Sequence, residues 1–178
     1  RKCDPLRKAV CRIIACINIK TTPARNMPLY SPAERRKHMF DKWDHRFMEM
    51  AWLVSSWASC YQQDRKIGAV IVKDKRIMTT GYNGAPAGLK TCKERGECLR
   101  RKLGIASGTR AEVCYAIHAE QNAIIQAAKL GVSIEGATLY CTHQPCILCA
   151  KMIVNSGISR VVYGEGYPDD FSLAIFQE

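Results

Sequence analysis

Four residues in two short segments have the types and spacing for metal-assisted chemistry. His118 and Glu120 stand two apart, and Cys146 and Cys149 stand three apart, directly after Pro145. One imidazole and two thiolates would hold a zinc ion and leave its fourth tetrahedral position open for water, which distinguishes a catalytic zinc site from a structural one. The carboxylate of Glu120 would then move protons for that water.

Local signals predict that both segments begin helices. Pro145 fits the first turn of a helix, where its missing N–H costs nothing, and places Cys146 and Cys149 on one helix face. His118 begins an apolar run that ends at Gly131, a residue suited to a helix C-cap. The positive dipole end of a first turn favours thiolate over thiol, and two thiolates offset its repulsion of a bound cation.

Each half of the pattern has other interpretations when taken alone. Cys-x-x-Cys also occurs in redox pairs and as half of a structural zinc site. Most His-x-Glu pairs are surface residues. In this order, with about 25 residues between the two halves, the combination is typical of zinc-dependent nucleobase deaminases.

The chain resembles the deoxycytidylate deaminase family, including the late-competence-operon deaminases of bacteria, from about residue 40 to residue 178. The matching segments are 67–72, 81–86, 118–124, 141–146, 161–163 and 166–169. Free-nucleoside cytidine deaminases and tRNA adenosine deaminases usually lack the Gly-Tyr-Asn-Gly of segment 81–86, so that segment discriminates best. The resemblance implies a three-layer α-β-α, cytidine-deaminase-like fold with a five-stranded mixed sheet.

A reaction is also implied by the resemblance: hydrolysis of deoxycytidine monophosphate (dCMP) to deoxyuridine monophosphate (dUMP) and ammonia, which feeds thymidylate synthesis. In the family, water activated by zinc on His118, Cys146 and Cys149 attacks C4 of cytosine. Glu120 takes a proton from that water, passes one to ring N3 and protonates the departing amine.

Four further residues are expected around the nucleotide by the same resemblance. The backbone N–H of Ala119 would lie near the base carbonyl, Asn83 would contact the sugar, Arg65 would lie near the phosphate, and Tyr167 would close over the substrate. Each of the last three also has a simpler interpretation. Asn83 lies between glycines and suits a turn, Arg65 suits a solvated surface, and Tyr167 precedes a proline and suits loop packing.

The family also suggests an assembly and its regulation. Many members are homohexamers, and some are activated by dCTP and inhibited by dTTP. The resemblance therefore implies a homo-oligomer with these nucleotides as effectors, although no pattern in this sequence indicates either feature by itself.

Composition and length indicate whether the protein is a membrane, secreted or cytoplasmic protein. No run of about 18 apolar residues occurs, so no membrane span is expected. Residues 9–19 imitate a signal peptide, but Arg12, Asn18 and the lack of a small-residue cleavage site argue against one. Several of the ten cysteines are accounted for by metal chemistry, which favours a reducing cytoplasm.

The net charge of +11 is unevenly distributed. Residues 1–38 hold ten basic and two acidic residues, which leaves 17 basic and 14 acidic residues in 39–178. A mildly basic main portion suits a small anionic nucleotide and makes nucleic acid an unlikely partner.

Two domains are therefore predicted. Residues 39–178 form the deaminase domain. Residues 1–38 form a basic extension of doubtful origin without a catalytic role, since the chain starts at Arg1 and either Met27 or Met39 could be the initiator. The alternative is a basic arm that binds nucleic acid or a partner.

Periodicity predicts the elements that must position the site. An amphipathic helix is expected over 40–60 from the spacing of Trp43, Phe47, Met50, Val54 and Trp57. The following elements are a hairpin of strands 67–72 and 76–82, a loop-rich insert 83–117, helix 118–130, strand 137–142, helix 145–156, strand 160–165 and a short helix in 169–177. Alternating strands and helices indicate an α/β layered domain.

A second metal is suggested by the cysteines around the insert. A long loop is hard to order without a core, and a structural zinc with four thiolates would order it. The candidate ligands are Cys60, Cys92, Cys98 and Cys114. The alternative is that some are small buried side chains, as Cys141 on its strand is expected to be. His143 is expected to be a loop or substrate-adjacent residue, because a fourth protein ligand would close the water position.

Three functions remain open. A dCMP deaminase is favoured. The second is the same chemistry on free cytidine, a modified pyrimidine or adenosine in tRNA, although polynucleotide editing would need a basic groove and stacking aromatics. The third is a non-enzymatic, competence-associated zinc protein, which would have no need of Glu120.

Overall fold

Five strands form one mixed sheet in the computed structural model, which describes residues 15–19, 40–62, 65–106, 109–166 and 170–178. The strands are β1 (Ala15–Asn18), β2 (Gly68–Lys73), β3 (Arg76–Tyr82), β4 (Thr138–His143) and β5 (Arg160–Glu165). Their order across the sheet is β1-β5-β4-β2-β3. Strands β4 and β5 are parallel, and the other neighbours are antiparallel. The predicted five-stranded mixed sheet is confirmed.

Helices cover both faces of this sheet. Helix α1 (Lys42–Ser55) packs Phe47, Met48 and Val54 against one face. The other face contacts the three later long helices, which are α4 (Ala119–Leu130), α5 (Ile147–Asn155) and α6 (Asp170–Gln177). Two short helices, α2 (Cys92–Arg95) and α3 (Leu99–Lys102), and a 3₁₀ turn at Ala111–Val113 lie in the insert. The three-layer arrangement is the predicted one.

Alternation along β4 shows how one strand serves both layers. Leu139 and Cys141 point into the core beneath α4 and α5, whereas Tyr140 between them packs against Phe47 of α1. Successive strand residues face opposite sides, so a strand buried on both faces is apolar at nearly every position. Cys141 is fully buried, as expected for a core residue. No helix in the described parts of the chain has the length and apolarity needed to cross a membrane.

Two glycines bring helices unusually close to the sheet. A Cβ at Gly68 would overlap the carbonyl oxygen of Ala51 in α1. A Cβ at Gly81 would likewise overlap the carbonyl oxygen of Ala119 and would lie 2.5 Å from the backbone nitrogen of Ala123. Only glycine permits these approaches, and the second one sets the position of the first turn of α4.

Most predicted element boundaries agree with the structure, but Pro145 does not lie in the first turn of a helix. Helix α5 begins at Ile147, and its N-cap is Cys146, whose backbone is extended with φ −73° and ψ 169°. Pro145 therefore precedes the cap and is fully buried. The prediction was wrong because proline suits the approach to a helix as well as its first turn.

Strand β1 belongs to the segment that sequence reasoning separated from the deaminase domain. It pairs antiparallel with β5, and the backbone N–H of Ile19 donates to the carbonyl of Ser159 at 2.8 Å. The predicted boundary between residues 38 and 39 thus does not coincide with the edge of the sheet. That residues 1–38 carry no catalytic part stays a prediction. Residues 1–14 and 20–39 lie outside the described residues.

A buried ion pair joins α1 to the beginnings of β4 and β5. The Arg160 guanidinium donates from both terminal nitrogens to Asp44, at 2.6 and 2.9 Å, and the Tyr140 hydroxyl donates to Asp44 at 2.7 Å. Although burial alone would raise the pKa of Asp44, the hydrogen bonds from Arg160 and Tyr140 lower it below its usual value. Arg160 also donates to the sulfur of Cys16, which connects β1 to the same network.

Replacing Asp44 by alanine should lower the free energy of unfolding by about 3 kcal/mol, because it leaves the Arg160 charge buried and uncompensated. Glu49→Ala, an exposed position on the same helix, is the matched control and should change it by less than about 0.5 kcal/mol. Urea denaturation monitored by circular dichroism measures both. Equal stability of the two variants would show that the ion pair does not hold α1 to the sheet.

Candidate active site

His118 is held at the start of α4 by backbone pairing with the turn after β3. The N–H of Ile117 donates to the carbonyl of Gly84 at 2.9 Å, and the N–H of Gly84 donates back to Ile117 at 3.2 Å. His118 is the N-cap of α4, and its own N–H donates to the side-chain oxygen of Gln121. The amide of Asn122 donates to the carbonyl of Tyr82 at 2.8 Å. The segment Gly81–Gly84 thus anchors both ends of the first turn.

The two cysteines reach the same point from α5. Cys146 is its N-cap, and Cys149 is buried in its first turn. The Nδ1 atom of His118 lies 3.5 Å from the Cys146 sulfur and 3.4 Å from the Cys149 sulfur. Bond lengths of about 2.3 Å to sulfur and 2.0 Å to nitrogen at a tetrahedral angle place the two ligand atoms about 3.5 Å apart. The three residues therefore fit a zinc ion, with Nδ1 as the histidine ligand.

Electrostatics in the site favour anionic sulfur. A hydrogen bond from the Cys149 thiol, assisted by His118, lowers the pKa of Cys146 to about 4. The same hydrogen bond raises the pKa of Cys149, so the two sulfurs share one proton. The hydrogen bond to Cys146 raises the pKa of His118, and the nearby positive charge of Arg100 acts in the opposite direction. Thiolate is the form that binds metal.

Glu120 is the buried carboxylate beside these three ligands. It lies in the first turn of α4, only 4% exposed, and lines the same cavity as His118 and Cys146. Burial raises the pKa of Glu120 above its usual value, although the charge of His118 acts against this effect. A carboxyl group whose pKa is raised by burial is better suited to donate a proton as well as to accept one.

A cavity of about 830 Å³ lies over these residues. Asn83 and Arg65 line its wall, as the resemblance implies for substrate contacts. The Asn83 amide also holds the backbone together, because it accepts from the N–H of Ile67 at 2.8 Å and donates to the carbonyl of Arg65 at 2.7 Å. Asn83 therefore acts at least as a turn residue, and its contact with a sugar stays a prediction. So does the phosphate role of Arg65.

The remaining predicted substrate contacts have different outcomes. Ala119 is the first residue of α4 and is fully buried next to His118, so its backbone role stays a prediction. Tyr167 lies outside the described residues. His143 is the last residue of β4 and lines the cavity, where its Nε2 lies 3.2 Å from a carboxylate oxygen of Glu165. Within the described chain, His143 is not part of the group whose ligand atoms converge on His118 Nδ1.

The four cysteines of the second set, proposed for the second zinc, lie near one another, but their sulfurs do not converge on one point. Cys60, Cys98 and Cys114 lie close enough to Cys92 to add to the effect of burial in raising its pKa. Among the described residues, only His118, Cys146 and Cys149 form a group of three potential ligands whose atoms all lie within 4.8 Å of one another. The structural zinc on the second set stays a prediction.

Several cavity residues were missed by sequence reasoning. They are Gln62, Arg100, Arg101, Arg110, Glu112 and Glu165. Four of the six belong to the insert, where the sequence led to a prediction for the cysteines and to none for the charged residues. The basic run Arg100-Arg101-Lys102 was a visible signal, but only the fold shows that two of its members face the catalytic cavity.

A three-layer α/β fold with a His-Cys-Cys group and a buried glutamate defines a zinc-dependent deaminase domain. Residues 41–165 match the family model described as the cytidine and deoxycytidylate deaminase zinc-binding region. The chain therefore belongs to the cytidine and deoxycytidylate deaminase family, and zinc is the cofactor of that family's domain. The resemblance identified from the sequence is confirmed.

Individual relatives support the assignment. The chain is 42% identical over 126 residues to the deoxycytidylate deaminase of Mycobacterium phage D29, covering 68% of this chain and 93% of the relative. It is 39% identical over 128 residues to that of Schizosaccharomyces pombe, covering 72% of this chain but only 38% of the relative. The chain thus spans less than half the length of that yeast enzyme.

A solved structure has the same fold. The dCMP deaminase of cyanophage S-TIM5, in complex with dCMP and dUMP, superposes with a TM-score of 0.64 at 33% sequence identity. The match covers 79% of this chain and 93% of the phage chain. This similarity includes most of the described elements and not the catalytic segments alone.

Zinc content should separate the two metal predictions. One zinc ion per folded chain is expected on the His118 group, and a second ion would be evidence for the site on the second set of cysteines. Atomic absorption on purified protein counts them. Cys149→Ser should remove the first, because it deletes one of three ligands. Cys92→Ser should remove the second and leave the first. One zinc in the wild-type chain would refute the second site, and no loss in Cys149→Ser would refute the first.

Proposed function

We propose that this protein catalyses the hydrolytic deamination of dCMP to dUMP and ammonia. The observation that carries the proposal is the convergence of His118, Cys146 and Cys149 beside the buried carboxylate of Glu120 in a cavity large enough for a nucleotide. The names of the relatives from phage and yeast, and the nucleotides bound to the cyanophage enzyme, support dCMP as the substrate.

Zinc held by His118, Cys146 and Cys149 would act as a Lewis acid that lowers the pKa of water at the open position. Glu120 supplies the proton transfers. Its carboxylate accepts a proton from the attacking water and delivers it to ring N3 as the C4–O bond forms. It then carries the remaining hydroxyl proton to the C4 amino group, so that the C4–N bond breaks and ammonia leaves. Its burial keeps bulk water from competing for these protons.

Backbone contacts fix the geometry of this transfer. Glu120 stands in the first turn of α4, and that turn is pinned by Gly84, by Gln121 and by the close approach of Gly81. On the other side, the N–H of Gln144 donates to the carbonyl of Glu165 at 2.7 Å and positions the approach to Cys146. Rigid placement of proton donor and acceptor is what such catalysis requires.

We further propose a cytoplasmic location, supported by Cys141, Cys146 and Cys149, which form no disulfide. A homo-oligomer with dCTP and dTTP as effectors is proposed from family resemblance. Residues 1–38 are proposed to have no part in catalysis, which agrees with the position of β1 at the sheet edge, beyond β5 from the catalytic helices.

A substrate panel tests the reaction. Zinc-loaded protein incubated with dCMP, deoxycytidine, cytidylate and a single-stranded oligonucleotide should release ammonia fastest from dCMP, as measured by a coupled ammonia assay. Fastest release from a substrate without a 5′-phosphate would overturn the proposed substrate. No release from any of the four would overturn the assignment as a cytosine deaminase.

Glu120→Gln should retain zinc and lose turnover by at least about 100-fold, because the amide keeps the shape of the side chain but cannot carry a proton. Ammonia release and zinc content are measured on the same preparation. The control is Glu49→Gln, an exposed carboxylate on α1 whose removal should leave both unchanged. Turnover close to that of the wild-type protein would refute the proton-transfer role of Glu120.

A further inference from the structure

Removal of an amine from a neutral nucleobase does not require arginines, yet several line the wall of this cavity. Four arginines line it, namely Arg65, Arg100, Arg101 and Arg110, and three of them come from the insert. Cytosine and deoxyribose are both neutral. An arginine cluster beside a catalytic carboxylate therefore indicates that the ligand carries an anionic group, for which the planar guanidinium fork is suited.

The insert arginines differ in what they already bind. Arg110 lies 3.3 Å from a carboxylate oxygen of Glu112, so its charge is compensated, and both side chains are largely exposed. Arg101 is exposed on α3. Arg100 is partly buried, and one of its terminal nitrogens donates to the carbonyls of Ala106 and Thr109, at 2.5 and 2.6 Å. Among the three insert arginines, Arg100 is thus the one whose guanidinium is held by backbone carbonyls.

One donor of this held group has no partner among the described residues. The Nε–H of Arg100 is buried and makes no hydrogen bond to any residue that the structure describes. Within the same residues, no carboxylate lies within ion-pair distance of Arg100. Buried donors are almost always satisfied, so the guanidinium of Arg100 keeps unused hydrogen-bonding capacity beside the cavity, which an anionic ligand would use.

Arg100 also lies within electrostatic reach of the catalytic centre. Its charge acts on the imidazole of His118, where it opposes the effect of the Cys146 hydrogen bond. Arg100 shares the cavity with Glu120 and His118, so a nucleotide whose base lies at Glu120 would have its sugar and 5′ end in the same cavity as Arg100.

We propose that Arg100 binds the 5′-phosphate of the substrate and thereby selects the nucleoside monophosphate over the free nucleoside. This inference rests on the proposed function, because it assigns a residue to one part of the proposed substrate. Arg100 is a binding residue for phosphate and takes no part in the proton transfers of Glu120. The carbonyls of Ala106 and Thr109 orient its guanidinium before the substrate arrives.

The test compares dCMP with deoxycytidine, which lacks only the phosphate. In Arg100→Gln, kcat/KM for dCMP should fall about 10- to 100-fold, the usual range for a lost hydrogen bond to a charged group. The loss should appear in KM, and kcat/KM for deoxycytidine should be unchanged. Arg100→Lys should be intermediate, because lysine keeps the charge without the fork. Lys102→Gln removes a charge from the same helix outside the cavity and should behave as the wild-type protein.

A binding measurement makes the outcome independent of turnover. Inorganic phosphate, titrated into zinc-loaded protein by calorimetry, should bind the wild-type chain and Lys102→Gln equally and Arg100→Gln at least about tenfold more weakly. Equal losses on dCMP and deoxycytidine would overturn the proposal, since they indicate a loop that has lost its internal support. Unchanged phosphate binding in Arg100→Gln would also overturn it. If the wild-type chain deaminates none of the substrates, the proposed function fails and the phosphate titration alone decides on Arg100.

Discussion

Two helices must begin at the same place for this site to exist. His118 caps α4 and Cys146 caps α5, and the atoms that bind metal are brought to within 3.5 Å across more than twenty-five residues of intervening chain. The distance is set by how closely α4 and α5 pack on one face of the sheet. That packing depends in turn on Gly81 beneath α4 and on the hydrogen bonds that fix the turns before each helix. The first turns supply unpaired N–H groups and positive dipole ends, which favour the thiolate form of cysteine.

The site divides its tasks between different parts of the chain. The residues proposed for metal binding and proton transfer lie at the starts of α4 and α5, on the three-layer core. Positive charge in the cavity comes mainly from the insert between β3 and α4, whose arginines line it. The ion pair between Asp44 and Arg160 lies at the beginnings of β4 and β5, whereas His143 and Glu165 lie at their ends. The ion pair that joins α1 to the sheet is thus separated from the residues that line the cavity.

Local signals in the sequence were sufficient for the chemistry and for the order of elements. The spacing of His118, Glu120, Cys146 and Cys149 predicted the group that the fold brings together. Strands 76–82 and 160–165 were predicted to the residue, because hydrophobic alternation and turn residues are local properties. The pairing of β1 with β5 was not predictable in this way. Its residues read as an apolar, signal-like run, and only tertiary contact makes them a strand.

The positions of charged side chains were the least predictable part of the site. Asp44 and Arg160 are separated by 116 residues, so no periodicity relates them. In the sequence, Arg100 is one of three adjacent basic residues. Only the fold shows that Arg100 lines the cavity, whereas Lys102 lies outside it and pairs with Glu97. The burial of the Arg100 Nε–H without a described partner is a property of the folded chain, and no sequence pattern predicts it.

The proposed reaction depends on His118, Cys146 and Cys149 together holding zinc beside Glu120. Anomalous diffraction from crystals of the zinc-loaded protein, collected on both sides of the zinc absorption edge, tests it directly. We expect an anomalous peak bonded to His118 Nδ1 and both sulfurs, at about 2.0 and 2.3 Å, with its fourth position facing Glu120. Absence of a peak among these three atoms, or a fourth protein ligand that closes the position facing Glu120, would show that these residues do not form an open zinc site.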